Sequence, residues 1–306
     1  MKRRDWLMLL ALSILWGGSY LFIRVAVAEI TPLTLVFARV TIAATALGIW
    51  LTATGEHLPR GGRVWLALAG MGLLNNIIPF SLIFWGQIEI GAGLAAILNA
   101  TTPLFTVLAA HVLTQDEKLS PAKIAGVFLG LAGVAVMIGP QALAGLDRSV
   151  AAQIACLGAA LSYGLANIYG RRFRTMPITP IQTAFGTLAA SAALMLPIAA
   201  GIDRPWTMAP PGVAALSALC ALALLSTAVA YILFYKILSS AGATSISLVT
   251  FLIPPGAILL GAIVLGERLE ARHIIGMACL GAGLAAIDGQ IIRRIKGAPR
   301  DPQRAA

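Results

Sequence analysis

The residues of this chain that could do chemistry are few, and they sit in apolar sequence. Trp16, Tyr20, Tyr163 and Tyr231 supply aromatic faces and three hydroxyls. Asn75, Asn76, Asn99 and Asn167 supply amides, and Arg24 and Arg39 are the only arginines within the apolar segments. These types hold a solute rather than break bonds. Nucleophilic catalysis needs a base beside the nucleophile, and hydrolysis needs metal ligands or paired carboxylates. His57, His111 and His273 are far apart, no HxxH, HExxH or CxxC pattern occurs, and the surface pair Asp116-Glu117 has no histidine or cysteine beside it. Neither an enzyme nor a bound metal or cofactor is expected.

Spacing refines this. Trp16 and Tyr20 are four residues apart and so share one helix face, as do Tyr163 and Asn167. Either the pairs line a cavity and touch substrate, or they pack helices around small residues. The recurrence of an aromatic 147 residues later favours the lining. An unpaired amide in hydrocarbon is costly, so each asparagine either binds a polar solute or bonds a neighbouring helix, at ~0.6 kcal/mol. In the second half Ser226, Thr227, Tyr231 and Thr250 hold the corresponding depth. Arg39 lies ~9 Å into its helix. It can take a substrate carboxylate bidentately, or it can snorkel to the surface or pair with Glu29 or Glu89. Arg24, nearer a helix end, favours the surface role. None of the twelve acidic residues is in mid-segment. Transport is therefore expected to be passive or exchange-driven, not coupled through a buried carboxylate relay.

The elements that position these residues follow from composition. The chain is 59% hydrophobic and 11% charged, with a mean hydropathy of +0.89. Soluble domains carry roughly 25% charge, so a polytopic membrane protein is expected. A net charge of +10 would suit nucleic acid, but its placement does not. Basic clusters stand before the first segment (Lys2-Arg3-Arg4) and after the last (Arg293, Arg294, Lys296), as orientation in a membrane requires. Cys156, Cys220 and Cys279 fall in apolar sequence without paired spacing and read as packing residues. The first apolar run exceeds the ~7–15 residues of a signal-peptide core and reads as a retained helix.

Ten segments approach the roughly 20 residues of a span, near 6–28, 33–53, 64–85, 91–113, 121–139, 150–170, 180–200, 212–235, 242–265 and 273–292. With ten spans, sixteen Lys and Arg fall on the side of the N-terminus and four on the other. Both termini are thus expected to be cytoplasmic, in a cell inner membrane. Gly17 and Gly18, mid-way along the first segment, lower helix stability by about 1 kcal/mol each relative to Ala, and a break is expected there. Pro79, Pro103 and Pro254 are further flexing points.

The pattern is duplicated. Trp16, Arg24 and Thr31-Pro32 are echoed by Tyr163, Arg171 and Thr179-Pro180; Glu117-Lys118-Leu119 by Glu267-Arg268-Leu269; Gly126 and Gly133 by Gly276 and Gly283; Pro103 by Pro254. Five spans is an odd number, so the second copy enters from the opposite side. The expected architecture is all-α integral membrane, with ten transmembrane helices as two inverted five-helix repeats, residues 1–142 and 149–292, and a basic tail, 293–306. In such repeats the site lies between the halves near the midplane. Gly126 and Gly130, with Gly276, Gly281 and Gly283, read as scaffold or as a weak dimer contact, so the chain is expected to be a monomer or weak homodimer.

These residues resemble EamA-type transporters of the drug/metabolite transporter superfamily. The resemblance rests on the Trp-Gly with a basic residue eight on, the Thr-Pro followed by Phe37-Ala38-Arg39, the Glu-Lys/Arg-Leu and the glycine-rich closing helix, and it covers about residues 5–292. It implies spans 1, 3, 4, 6, 8 and 9 around a central cavity, and export of small metabolites. Amino-acid exporters are among that family's members. Arg171 departs from the pattern: inversion places it at the cytoplasmic side, beside Arg172 and Arg174. The expected function is a permease for small metabolites, amino acids first, in contact with lipid and not with nucleic acid. Rival readings are a multidrug or nucleotide-sugar carrier on the same fold, or a lipid scramblase or non-transporting bundle.

Overall fold

The computed structural model describes residues 3–115, 120–138, 148–234, 236–237 and 249–288. The expected tail at 293–306, the Glu117-Lys118-Leu119 copy of the duplicated motif and the start of the ninth segment at 242–248 lie outside them. Twelve helices are described: α1 (Arg3–Ala26), α2 (Pro32–Ala53), α3 (Gly62–Gly72), α4 (Ile78–Glu89), α5 (Ala92–Asn99), α6 (Thr102–Leu113), α7 (Pro121–Ile138), α8 (Arg148–Tyr169), α9 (Pro180–Ile202), α10 (Val213–Ala223), α11 (Val249–Leu265) and α12 (Ala271–Asp288). Among the described residues there is no strand. Seven helical stretches are long and apolar enough to cross a membrane, Gly62–Glu89, Ala92–Leu113 and Val213–Phe234 among them. Leu66, Val112, Phe128 and Ile263 are each at least 70% exposed. Large apolar side chains on the outside are what a lipid-facing bundle presents.

Three long stretches are interrupted, each for a local reason. Between α3 and α4 lies a π turn, Leu73–Ile77, in which the Ile78 N–H donates to Leu73 O, five residues back. Pro79 follows at the start of α4 and has no N–H to offer the preceding turn. Between α5 and α6 the helix stops at Asn99 and restarts at Thr102. Pro103 cannot donate to Asn99 O, and the Thr102 hydroxyl does so instead at 2.7 Å. The third is a second π turn, Leu224–Val229, where Ala230 N–H donates to Leu225 O and Thr227 Oγ1 donates to Leu222 O at 2.9 Å.

The break expected at Gly17-Gly18 does not occur, because α1 is continuous. Gly17 serves a close crossing instead: a Cβ there would meet Ile253 O and Ala257 N of α11 at 3.2 Å. Gly164 of α8 does the same against α6, where a Cβ would meet Phe105 C and Thr106 N at 2.9 Å. Helices α1 and α11 pack together, as do α8 and α6, α1 and α10, α8 and α4, α2 and α9, and α5 and α11. The glycine faces of α7 and α12 meet each other: a Cβ on Gly133 would strike Gly276 O, and one on Gly283 would strike Gly126 O. These faces are therefore consumed within the chain.

At the end of the bundle away from the N-terminus, carboxylates fasten helix starts. Thr-Pro opens both α2 and α9, with proline in the first turn where its missing N–H costs nothing. Thr179 forms a capping box with Gln182, whereas α2 is capped from α9, Asp203 Oδ2 accepting from Thr34 N–H at 2.8 Å. Glu29 accepts from Gly212 N–H before α10 at 2.6 Å. Glu267 accepts from Ala92 and Gly93 N–H at the start of α5, at 2.8 and 3.2 Å. Each places negative charge where a helix exposes unpaired N–H groups.

Candidate functional site

Arg39 is the centre of the polar network. It projects from α2 into the bundle and is 6% exposed. Its Nε donates to Thr227 Oγ1 at 2.9 Å, and its guanidinium lies over the Phe80 ring, 3.8 Å from the centroid. Phe84, one turn on and parallel to Phe80, is 5.7 Å away. The hydroxyls of Tyr163, Tyr231 and Tyr20 lie in its neighbourhood. Asn99 lies beside the Tyr20 hydroxyl, and Asn75 Nδ2 donates to the Tyr231 hydroxyl at 3.4 Å. The Asn99 Oδ1 is buried and has no partner. Arg39 thus neither snorkels nor pairs with Glu29 or Glu89. Glu29 holds Gly212, and Glu89 faces Arg148 at 3.7 Å.

Six of the nine expected binding residues are thereby brought together: Tyr20, Arg39, Asn75, Asn99, Tyr163 and Tyr231. The two π turns have a direct part in this. The first carries Asn75, and the second carries Thr227, whose hydroxyl donates backward to Leu222 O and accepts from Arg39. Three expected residues stand elsewhere. Trp16 packs on Phe234, ring centroids 5.8 Å apart, in an apolar cluster with Leu9 and Leu12. Asn76 is fully buried and donates to Ser191 Oγ on α9 at 3.0 Å, a bond between helices. Asn167 is exposed and donates to Thr106 Oγ1 at 3.1 Å. Phe80 was missed by sequence reasoning; its signal was the pair Phe80 and Phe84, four residues apart on one face of α4 and able to flank a cation.

Pro79 and Pro103 sit at interruptions, while Pro254 lies inside the continuous α11. Arg24 behaves as a helix-end residue: its Nη1 donates to the carbonyls of Gln87 and Ile88 near the end of α4, where a cation is favoured. Gln87 in turn donates to Tyr20 O at 2.8 Å. A cavity of about 510 Å³ opens beside Arg24, Glu267, Arg268 and His273, at the end of the bundle away from the N-terminus. None of the six residues gathered at Arg39 lines it; we place the candidate site at these six, a polar ring within the bundle. Outside the spans, Arg272 donates to Glu270 at 2.9 Å and holds its carboxyl below the ordinary range. No group of three or more His, Cys, Asp and Glu suited to a metal occurs among the described residues.

Comparison with known proteins agrees with this geometry. The chain is 31% identical over 267 residues to the inner membrane transporter YedA of Escherichia coli (strain K12), covering 86% of this chain and 83% of that one. It is 26% identical over 298 residues to a probable terminal-alkyne amino-acid exporter of Streptantibioticus cattleyicolor, covering 96% of each. It is 24% identical to a probable amino-acid metabolite efflux pump of Escherichia coli, covering 93% of this chain and 94% of that one. A solved crystal structure superposes with a TM-score of 0.67 at 21% identity, covering 96% of this chain and all of the other, and so shares the fold. The model of the EamA-like transporter family matches twice, over residues 5–139 and 150–287. The chain is a membrane transporter that belongs to the EamA-like transporter family.

Proposed function

We propose that the chain exports small metabolites, amino acids first among them, across the cell inner membrane by alternating access between residues 1–142 and 149–292. In this reading ten spans form two five-helix halves of opposite topology, with both termini cytoplasmic. Support comes from paired features. Gly17 meets the backbone of α11 as Gly164 meets that of α6, and the two π turns, 73–77 and 224–229, fall about 150 residues apart. Helix α1 packs on α11 as α8 packs on α6. The names of two relatives, an amino-acid exporter and an amino-acid metabolite efflux pump, point the same way.

The observation that carries the proposal is the network of Tyr20, Tyr163 and Tyr231 around one buried arginine. Stacking faces, neutral hydrogen-bonding groups and a single cation suit a small amphipathic solute. Pro79 and Pro103, at the interrupted spans, are the flexing points of the cycle. The test is uptake of a radiolabelled amino-acid panel into proteoliposomes, comparing the wild type with Tyr163→Ala. Saturable uptake of one class, reduced at least tenfold in the variant at equal folded protein, supports the proposal. Uptake of cationic drugs or nucleotide sugars with no amino acid moved would favour the rival carriers.

A further inference from the structure

We propose that the carboxylate, and not the ammonium, is the part of the substrate that this transporter reads. The ligand class is then small organic monocarboxylates, of which α-amino acids are one subset, and Arg39 is the residue that sets this specificity. The inference rests on the ring being the transport site.

A charge out of water is costly unless paired and hydrogen-bonded, and within a membrane such a residue normally finds a counter-ion. Arg39 is buried, yet no carboxylate pairs with it among the described residues. The carboxylates that are described are occupied at the ends of helices: Glu29, Asp203 and Glu267 on helix N–H groups, Glu89 by Arg148, Glu56 by the Thr179 hydroxyl and Glu270 by Arg272. Among the described residues, Arg39 is therefore compensated only by ring faces and neutral hydroxyls. A monocarboxylate would complete the pair.

The orientation of the guanidinium favours this. One face is covered by Phe80 and Nε is taken by Thr227, so the side chain is fixed at two points. The edge left over is formed by the two Nη groups, which have no hydrogen-bond acceptor among the described residues. That edge presents parallel N–H donors with the geometry of a carboxylate. An ammonium finds no such counterpart. The unpartnered buried acceptor among the residues around Arg39, Asn99 Oδ1, is neutral and offers a single hydrogen bond, so an amine is accommodated and not required.

The test uses the full chain in lipid nanodiscs and measures binding by thermal unfolding, because the neutral forms of small acids and amines cross bilayers unaided. The probes are a matched set: phenylalanine, 3-phenylpropionate, which lacks the amine, and phenethylamine, which lacks the carboxylate. A ligand that binds only the folded state raises its unfolding temperature. Phenylalanine and 3-phenylpropionate should each raise it by a few degrees at saturation, and phenethylamine should not. Arg39→Gln should abolish both shifts, and Arg39→Lys should retain binding weakened at least tenfold, since a point charge replaces the fork. Stabilisation by phenethylamine equal to that by the acids, or by none of the three, overturns the proposal. The wild-type comparison decides it even if a variant fails to fold. If the amine alone binds and is transported, the transporter reading stands and the carboxylate reading falls.

Discussion

Arg39 and Thr227 are joined by a 2.9 Å hydrogen bond from Nε to Oγ1, although 188 residues separate them. The bond ties the first half of the chain to the second at the polar centre, and it depends on a π turn. In a regular helix Leu222 O would be bonded by a main-chain N–H four residues on; here the Thr227 hydroxyl donates to it from five residues on. That leaves the hydroxyl oxygen to accept from the arginine.

Thr227→Val keeps the shape and removes the acceptor. A hydrogen bond to a charged group contributes about 1.5–3 kcal/mol, so KM for transported substrate should rise roughly ten- to hundredfold. Thr227→Ser should restore most of the loss. Saturation kinetics in proteoliposomes checks both; an unchanged KM in the valine variant would separate Thr227 from substrate binding.

The close crossings rank three glycines. A Cβ on Gly164 would lie 2.9 Å from backbone atoms, one on Gly17 3.2 Å, and one on Gly18 3.7 Å from the nearest side chain. Gly164→Ala should therefore destabilise most, by about 1–3 kcal/mol, and Gly17→Ala less. Gly18→Ala should be neutral or stabilising by up to about 1 kcal/mol through helix propensity. Thermal unfolding of the three variants in one detergent gives the order directly.

The asparagines should divide by partner. Asn76→Ala breaks a helix-to-helix bond to Ser191 and should cost stability of ~0.6 kcal/mol while leaving KM unchanged. Asn75→Ala removes the bond to Tyr231, Asn99→Ala removes the amide beside Tyr20, and each should raise KM several-fold. Paired stability and transport measurements distinguish the two groups.

Glu267→Gln removes the negative charge from the start of α5 and should cost about 0.3–1 kcal/mol. Gly91→Ala should act through the same contact, since its Cβ would lie 2.8 Å from the Glu267 carboxyl carbon. Additive losses in the double variant would show that the two positions are independent; a double variant no worse than the worse single one is the expected result.

Much of this was legible in the sequence. Apolar segments of spanning length, prolines and a duplicated motif order are local patterns, and the helices follow them closely, as α2 at Pro32–Ala53 follows the expected 33–53. The six residues gathered around Arg39 were legible as polar side chains in apolar sequence, because such a side chain in a span must find a partner. What the partner is cannot be read from spacing. Asn75 and Asn76 are adjacent and look alike in sequence, yet one faces Tyr231 and the other Ser191. Gly17-Gly18 likewise suggests loosened backbone, when the decisive fact is α11 lying against it. The π turn at Leu224–Val229 has no proline to announce it.

Those two π turns also act as phase settings. Successive residues of an α-helix are turned by about 100° around its axis, and a π turn absorbs one extra residue without a matching advance. Deleting a single residue within Leu224–Val229 would let the turn close to regular helix with Tyr231 still facing Arg39, at the cost of the Thr227 bond. The same deletion in the regular helix before the turn, within Val213–Ala223, would swing that part of the span by about 100° against Tyr231. The polar centre is thus specified by where the span carries its extra residue as much as by which residues it contains.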